Sequence, residues 1–209
     1  MPTLLANGGP VIWLILIAAA TAAVVFVERA LFCHRSQINS AEFLNGVRTV
    51  LKRGNVVEAI AICDATAGPV SRLVKAAILN REAGRERIRE AVEEAGLVEV
   101  PLLENRLNLL ATIVQIAPLL GLFGTIVGFI DIFQQLQHQG AYAHFLGGDP
   151  SLATGVWQSL ICAAAGIAVA IPAHAGYNYL VSRVNKIVLD MERAAAEIIN
   201  IVTEMGNAK

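Results

Sequence analysis

Long apolar runs dominate the pattern of hydrophobic and polar positions along this chain. The run from Leu109 to Ile130 contains no charged side chain. At about 1.5 Å per residue, a helix of that length crosses a hydrocarbon core about 30 Å thick. Two other segments share this apolar character. We therefore expect three transmembrane helices, at residues 10–27, 107–133 and 152–180.

The segments outside these runs carry apolar residues at helical spacing. In 28–106 the pattern predicts short packed helices, one of them opening at Pro69, followed after Gly84 by a helix with opposite charges at helical offsets. Such a charge pattern is typical of a solvated helix with weak ion pairs. If that helix ran on from Arg85 to Leu136, with Pro101 only kinking it, it would be about 75 Å long. Residues 181–209 continue the third span as an amphipathic helix.

Composition and charge place the chain in the membrane class and predict its orientation. Hydrophobic residues make up 56% of the 209 residues, more than a soluble domain usually has. All sixteen Lys and Arg residues lie either in 28–106, with twelve, or after the third span, with four. By the positive-inside rule, 28–106 and 181–209 are cytoplasmic. The N-terminus, 1–9, and the loop 134–151 are then on the outer side.

Few residues suggest a catalytic or metal site. Cys33 adjoins His34, and the outer loop holds His138 and His144, but neither pair has the further ligands that a metal site needs. The three cysteines show no paired spacing, and the first span has no ionisable group. We expect no catalytic residues, no metal, no cofactor and no bound nucleic acid.

Small and polar residues recur on one side of the second and third spans. A lipid-facing helix does not require them, whereas closely packed helices do. Their function is helix packing alone or, in addition to packing, hydrogen bonding to a buried charge. In the second span they are Ala117, Pro118, Gly121, Gly124, Thr125 and Gly128, and in the third Gly155, Ser159, Cys162, Gly166, Ala170 and Pro172.

Three polar side chains are expected at one depth in the outer half of the membrane: Thr125, Gln158 and Ser159. They can hydrogen-bond a buried charge, but none carries a proton at ordinary pH. Asp131 lies near the outer surface on a different helical face. We expect His174 and Tyr177 to be buried against other helices rather than to relay protons. We therefore expect a complete ion path to require a second protein.

Three runs, 109–112, 117–125 and 166–173, the last followed by Tyr177-Asn178, closely resemble the MotA/TolQ/ExbB proton channel family. The three-span layout resembles its ExbB and TolQ branch. The resemblance implies an all-α homo-oligomer, a homopentamer, in the bacterial inner membrane, whose second and third spans line a pore. That pore would hold an ExbD-like or TolR-like single-span partner carrying the protonatable aspartate. A TonB-like or TolA-like protein would transmit force to the outer membrane.

The same resemblance assigns pore residues. Thr125 matches the pore threonine of the family, Gln158 stands where well-known members have an acid, and Ala163 stands where they have a second threonine, with Ser159 and Cys162 nearby. We expect these five residues to line the proton pathway. The alternative is a non-conducting scaffold of the same fold that holds a single-span partner. The ion, proton or sodium, and the role, TonB-type or Tol-type, stay open.

Overall fold

The computed structural model describes residues 9–36, 39–139 and 150–207, so His144 and most of the outer loop lie outside the described residues. Within these ranges the chain is helical and has no strand. The helices are α1 Gly9–Ser36, α2 Ser40–Lys52, α3 Val56–Ala65, α4 Pro69–Leu79, α5 Arg85–Glu104, α6 Leu107–Gln139 and α7 Pro150–Asn207.

Three of these helices are long and apolar enough to cross a membrane: α1, α6 and α7. Each contains one of the apolar runs, which confirms the prediction of three membrane-capable helices. Helix α7 is continuous for 58 residues, so the amphipathic C-terminal segment extends the third span without a break. Pro172 lies inside α7 and Pro118 inside α6, and neither proline ends its helix.

Helices α5 and α6 are separate, so the long continuous helix considered above does not form. Asn105 is extended, with ψ at 137°, and Arg106 has a φ of 65° in the left-handed region. The break leaves carbonyls at the end of α5 without the amide donors of a next turn. The Arg29 guanidinium approaches one of them, since its Nη1 donates to the Leu102 oxygen at 3.4 Å. A cation at a helix C-terminus also interacts favourably with the negative end of the helix dipole.

The chain folds into two compact units. The membrane unit comprises residues up to 27 together with 106–179, and the bundle unit comprises 28–105 together with the chain from 180 onward. In the bundle unit the helices bury apolar side chains in a common core, in which Leu44 is buried while its neighbour Phe43 is half-buried. The core side chains are Leu44, Val47, Leu51, Val70, Leu73, Val74, Ala77, Ile78, Ile88, Val92, Leu180, Val184, Ile187, Met191 and Ile198.

Polar contacts hold the helices of the bundle unit in place. Asn55 caps α3, because its Oδ1 accepts from the Glu58 backbone N–H at 3.3 Å. The Arg72 Nη1 donates to both carboxylate oxygens of Glu99, at 2.7 and 2.9 Å, and ties α4 to α5. The exposed face of α5 carries the predicted ion pairs between neighbouring turns, such as Arg87 with Glu90 at 3.0 Å.

Candidate functional site

Helices α6 and α7 contact each other backbone to backbone in the membrane unit. A Cβ placed at Gly166 would lie 2.7 Å from the Ala117 carbonyl oxygen and 2.8 Å from the Gly121 Cα. Ala117 itself is completely buried. Only glycine permits this approach. Any other residue would bring a Cβ against main-chain atoms, which cannot move away by a side-chain rotation.

The contact continues as an antiparallel series of mostly small residues, which we call the α6–α7 seam. Moving outward along α6, Gly124 lies against Cys162, Gly128 against Ser159, and Ile132 against Gly155. The seam consists of Ala117, Gly121, Gly124, Gly128 and Ile132 on α6 with Gly155, Ser159, Cys162 and Gly166 on α7. Of the other residues expected on the packing face, Ala170 is half-buried, and Pro118 and Pro172 are exposed.

Two residues expected in the proton pathway lie inside this seam. Ser159 is only 1% exposed, its hydroxyl donates to the Gly155 carbonyl at 2.9 Å, and its Oγ occupies the space that a Gly128 side chain would need. Cys162 is 2% exposed and packs against Gly124. Within one chain, both polar groups face a neighbouring helix rather than a surface where an ion could pass.

Thr125 lies at the edge of the seam and is partly exposed. Its hydroxyl donates to the Leu122 carbonyl of its own helix at 2.5 Å. A hydroxyl that donates one hydrogen bond keeps two lone pairs that can accept others. Thr125 therefore presents a hydrogen-bond acceptor outside the chain's own packing.

Helix α1 packs on one side of the α6–α7 pair. Val11 lies 3.2 Å from a Cβ built at Gly124, and Phe26 lies 2.9 Å from one built at Gly176. Between these contacts, α1 and α7 border an apolar cavity of about 370 Å³ whose lining includes Ala22 and Val169. We call the opposite side of the α6–α7 pair the open face.

Helical geometry divides the remaining candidates between the two sides. Gln158 and Gly176 are eighteen residues apart, which is five full turns, so half-buried Gln158 has the orientation of the glycine that contacts α1. Ala163 is five residues from Gln158, about 140° around the helix, and therefore lies toward the open face. Gly121 packs against the Ala163 carbonyl, and Thr125, one turn further along α6, follows on that side.

His174 also belongs to the open face, and the expectation that it is buried is wrong. Its side chain is exposed, while Tyr177 is half-buried. Two residues separate His174 from Gly176, so the two point about 160° apart, and the histidine faces away from α1. Positions 163, 167, 170 and 174 follow the spacing of one helical stripe, so His174 points in nearly the same direction as Ala163.

The titratable side chains in the described residues form no group of three that could hold a metal ion. Outside the membrane spans, burial raises the pKa of the Cys63 thiol to about 11, with Asp64 adding to the rise. Burial also raises the pKa of Cys33, although Arg29 and Arg183 oppose it. Thiols with raised pKa values are poor nucleophiles and poor metal ligands near neutral pH. Neither cysteine is thus a candidate reactive group.

The sequence of this chain is similar to those of known proteins. Residues 65–193 match the model of the MotA/TolQ/ExbB proton channel family. A putative biopolymer transport protein ExbB homolog of Methanothermobacter thermautotrophicus is 26% identical over 204 residues, which cover 97% of this chain and 68% of that protein.

Two further relatives are more similar over shorter regions. A putative biopolymer transport protein, ExbB-like 3, of Synechocystis is 32% identical over 151 residues, covering 72% of this chain and 70% of that protein. The Tol-Pal system protein TolQ of Haemophilus influenzae is 38% identical over 111 residues, 53% of this chain, and the matched region spans less than half, 46%, of that relative. Both ExbB-named and TolQ-named proteins are therefore similar to this chain.

Proposed function

Because the chain belongs to the MotA/TolQ/ExbB proton channel family, we propose that it is the channel-forming stator subunit of an ion-driven motor in the bacterial inner membrane. Five copies surround the single membrane helix of an ExbD-like or TolR-like partner, with the N-terminus periplasmic and the C-terminus cytoplasmic. Ion flow down the proton motive force moves the partner, and a TonB-like or TolA-like protein carries that motion to the outer membrane. No enzymatic activity is proposed.

The observation that carries this proposal is the partly exposed Thr125 hydroxyl on the open face of a membrane helix. Large apolar side chains such as Leu119, Leu122 and Phe129 are also exposed on α6, and lipid or another copy of the chain covers them. A hydroxyl gains nothing from lipid, since hydrocarbon offers no hydrogen-bond partner. An oligomer that places Thr125 toward a central helix supplies one.

The hydroxyl suits a partner carboxyl that alternates between two protonation states. While Thr125 donates to the Leu122 carbonyl, its lone pairs accept a hydrogen bond from a protonated carboxyl. When that carboxyl loses its proton, the hydroxyl can rotate and donate to the carboxylate instead. A charge inside the membrane costs several kcal/mol unless such groups solvate it. Thr125 therefore stabilises the ionised state of the partner carboxyl inside the membrane.

The test replaces Thr125 with valine, which keeps the shape and removes the hydroxyl. Thr112→Val is the matched control, because Thr112 is on the same helix, also donates to its own backbone, at 2.8 Å to the Asn108 carbonyl, and is exposed. It lies thirteen residues away, about 140° around the helix. Each variant is purified with the single-span partner, reconstituted into liposomes, and assayed for proton flux with an enclosed pH-sensitive dye.

We expect Thr125→Val to assemble normally and to lose at least about tenfold of the flux, while Thr112→Val keeps it. A Thr125→Val complex that conducts like the wild type would refute the role of the hydroxyl. The same assay with a sodium gradient and an enclosed sodium-sensitive dye identifies the ion.

One observation favours the scaffold as a second candidate. The open face of α7 has no hydroxyl at Ala163, and Ser159 and Cys162 are enclosed in the seam. A scaffold would bind the single-span partner and assemble with it, yet the wild-type complex would pass no ions. The flux assay separates the two functions directly.

A further inference from the structure

An exposed imidazole occurs where a membrane helix usually has an apolar side chain. His174 lies six residues before Leu180, about 9 Å inside the expected cytoplasmic end of the third span. It is the one histidine in the three expected spans. Titratable side chains at such depth are costly, and they tend to mark ion pathways when they face a cavity or a partner.

The orientation of His174 matches that of the proposed pore residues. The residues two positions away on either side, Pro172 and Gly176, both border the apolar cavity on the α1 side. His174 consequently points about 160° away from them, toward the open face. It continues the stripe of Ala163 and Ala170, eleven residues or about 16 Å further toward the cytoplasm than Ala163.

The expected spans of α1 and α6, 10–27 and 107–133, contain one titratable side chain, Asp131 near the outer end of α6. The α1 segment 10–27 and the α6 segment 107–130 contain no Asp, Glu, Lys, Arg, His, Cys or Tyr. On α7 itself, the other titratable side chains of the expected span are Cys162, which is buried in the seam, and the phenols Tyr177 and Tyr179. On α6, the first cation is Arg106, immediately before the span.

We propose that His174 is the cytoplasmic-side proton relay of the ion path. Imidazole accepts a proton on one ring nitrogen and releases the proton of the other nitrogen, so a proton crosses the ring with no net chemical change. Here the incoming proton arrives from the level of Thr125 and leaves to cytoplasmic water, after which the ring returns to its first tautomer. This inference rests on the proposed function, and it adds a residue that holds the moving proton.

The experiment measures proton flux into liposomes between about pH 3.5 and pH 8, a range that covers the ordinary titration of both imidazole and carboxyl groups, for the wild-type complex and three variants. His174→Gln keeps a similar size and polarity but cannot bind a proton. His174→Glu restores a titratable group whose class titrates about two pH units lower than imidazole. His34→Gln is the control, because His34 is exposed on the part of α1 beyond the first span.

We expect His174→Gln to lose at least about tenfold of the flux at neutral pH and to lose the pH dependence. His174→Glu should recover part of the flux, with the half-maximal pH shifted about two units lower. His34→Gln should match the wild type. Complex yield and melting temperature of His174→Gln should equal those of the wild type, because the His174 side chain is exposed and faces away from α1.

The outcomes separate the two proposals. If the wild type conducts and His174→Gln conducts equally at every pH, the relay is refuted and the proposed function stands. If His174→Gln is inactive and His174→Glu shows no shifted pH profile, the histidine has a structural role and the relay is again refuted. If the wild type itself passes no ions, the proposed function fails and the relay fails with it.

Discussion

Gly166→Ala is the sharpest test of the α6–α7 seam, because the added methyl group meets only main-chain atoms. The new Cβ would be 2.7 Å from the Ala117 oxygen, 2.8 Å from the Gly121 Cα and 3.0 Å from the Gly121 nitrogen. No side-chain rotation can relieve these contacts. The two helices must separate by about 0.7 Å to reach an ordinary contact of 3.4 Å.

The expected cost follows from two opposing terms. Overpacking of a well-packed contact costs about 1–3 kcal/mol, and a gap of that size also forfeits a quarter to a half of the dispersion energy of the atoms along the seam. Alanine gains about 0.5–1 kcal/mol over glycine inside a helix. Gly46→Ala measures the gain of alanine over glycine alone, since nothing lies within 4 Å of a Cβ at Gly46 on α2. The two variants should therefore differ by the overpacking term, about 1–3 kcal/mol.

The assay is thermal unfolding of the detergent-solubilised protein followed by far-ultraviolet circular dichroism. For a chain of this length 1 kcal/mol corresponds to about 2–4 °C, so Gly166→Ala should melt about 2–12 °C below Gly46→Ala. Gly46→Ala itself should equal or exceed the wild type. A Gly166→Ala protein that melts as high as Gly46→Ala would show that the helices do not approach to backbone contact.

Two further predictions concern a relievable clash and a buried thiol. Gly128→Ala brings its methyl group onto the Ser159 Oγ, so Ser159→Gly in the same chain should restore most of the lost melting temperature; a double variant as unstable as the single one would contradict this pairing. Because burial raises the pKa of Cys63 to about 11, alkylation by iodoacetamide at pH 8 should be about a hundredfold slower in the folded than in the unfolded protein, and it should accelerate as the pH rises toward 11. Equal rates in both states would contradict it.

Much of the architecture is predictable because local signals agree with one another. Pro69 marks the start of α4, and Gly54-Asn55 separates α2 from α3, since proline suits the first helical turn and asparagine caps the next helix. In the C-terminal part of α7, apolar residues at helical spacing predict the buried face of the helix. These features depend on residues within a few positions of each other.

The features that sequence reasoning missed depend on tertiary contacts. No glycine or proline lies at the break at Asn105-Arg106, where Arg106 has a left-handed φ of 65°. Near this break, the Leu102 carbonyl accepts a hydrogen bond from Arg29, which is 73 residues away in the sequence. The exposure of His174 depends on which side of α7 the first helix packs. Helical periodicity places residues around an axis but does not say where the neighbouring helix lies.

The seam also limits how a single chain can conduct. Packing places Ser159 and Cys162 against α6, so the open face retains Thr125 and His174 as its proposed functional groups. From the seam register, Thr125 lies near the level of Cys162, and His174 is twelve residues beyond it, about 18 Å along the axis. A hydrogen bond spans only about 3 Å, so these two groups cannot exchange a proton directly. In the complex that we propose, water and the carboxyl of the partner helix bridge that interval, so we expect this carboxyl to reach the open face between these two levels.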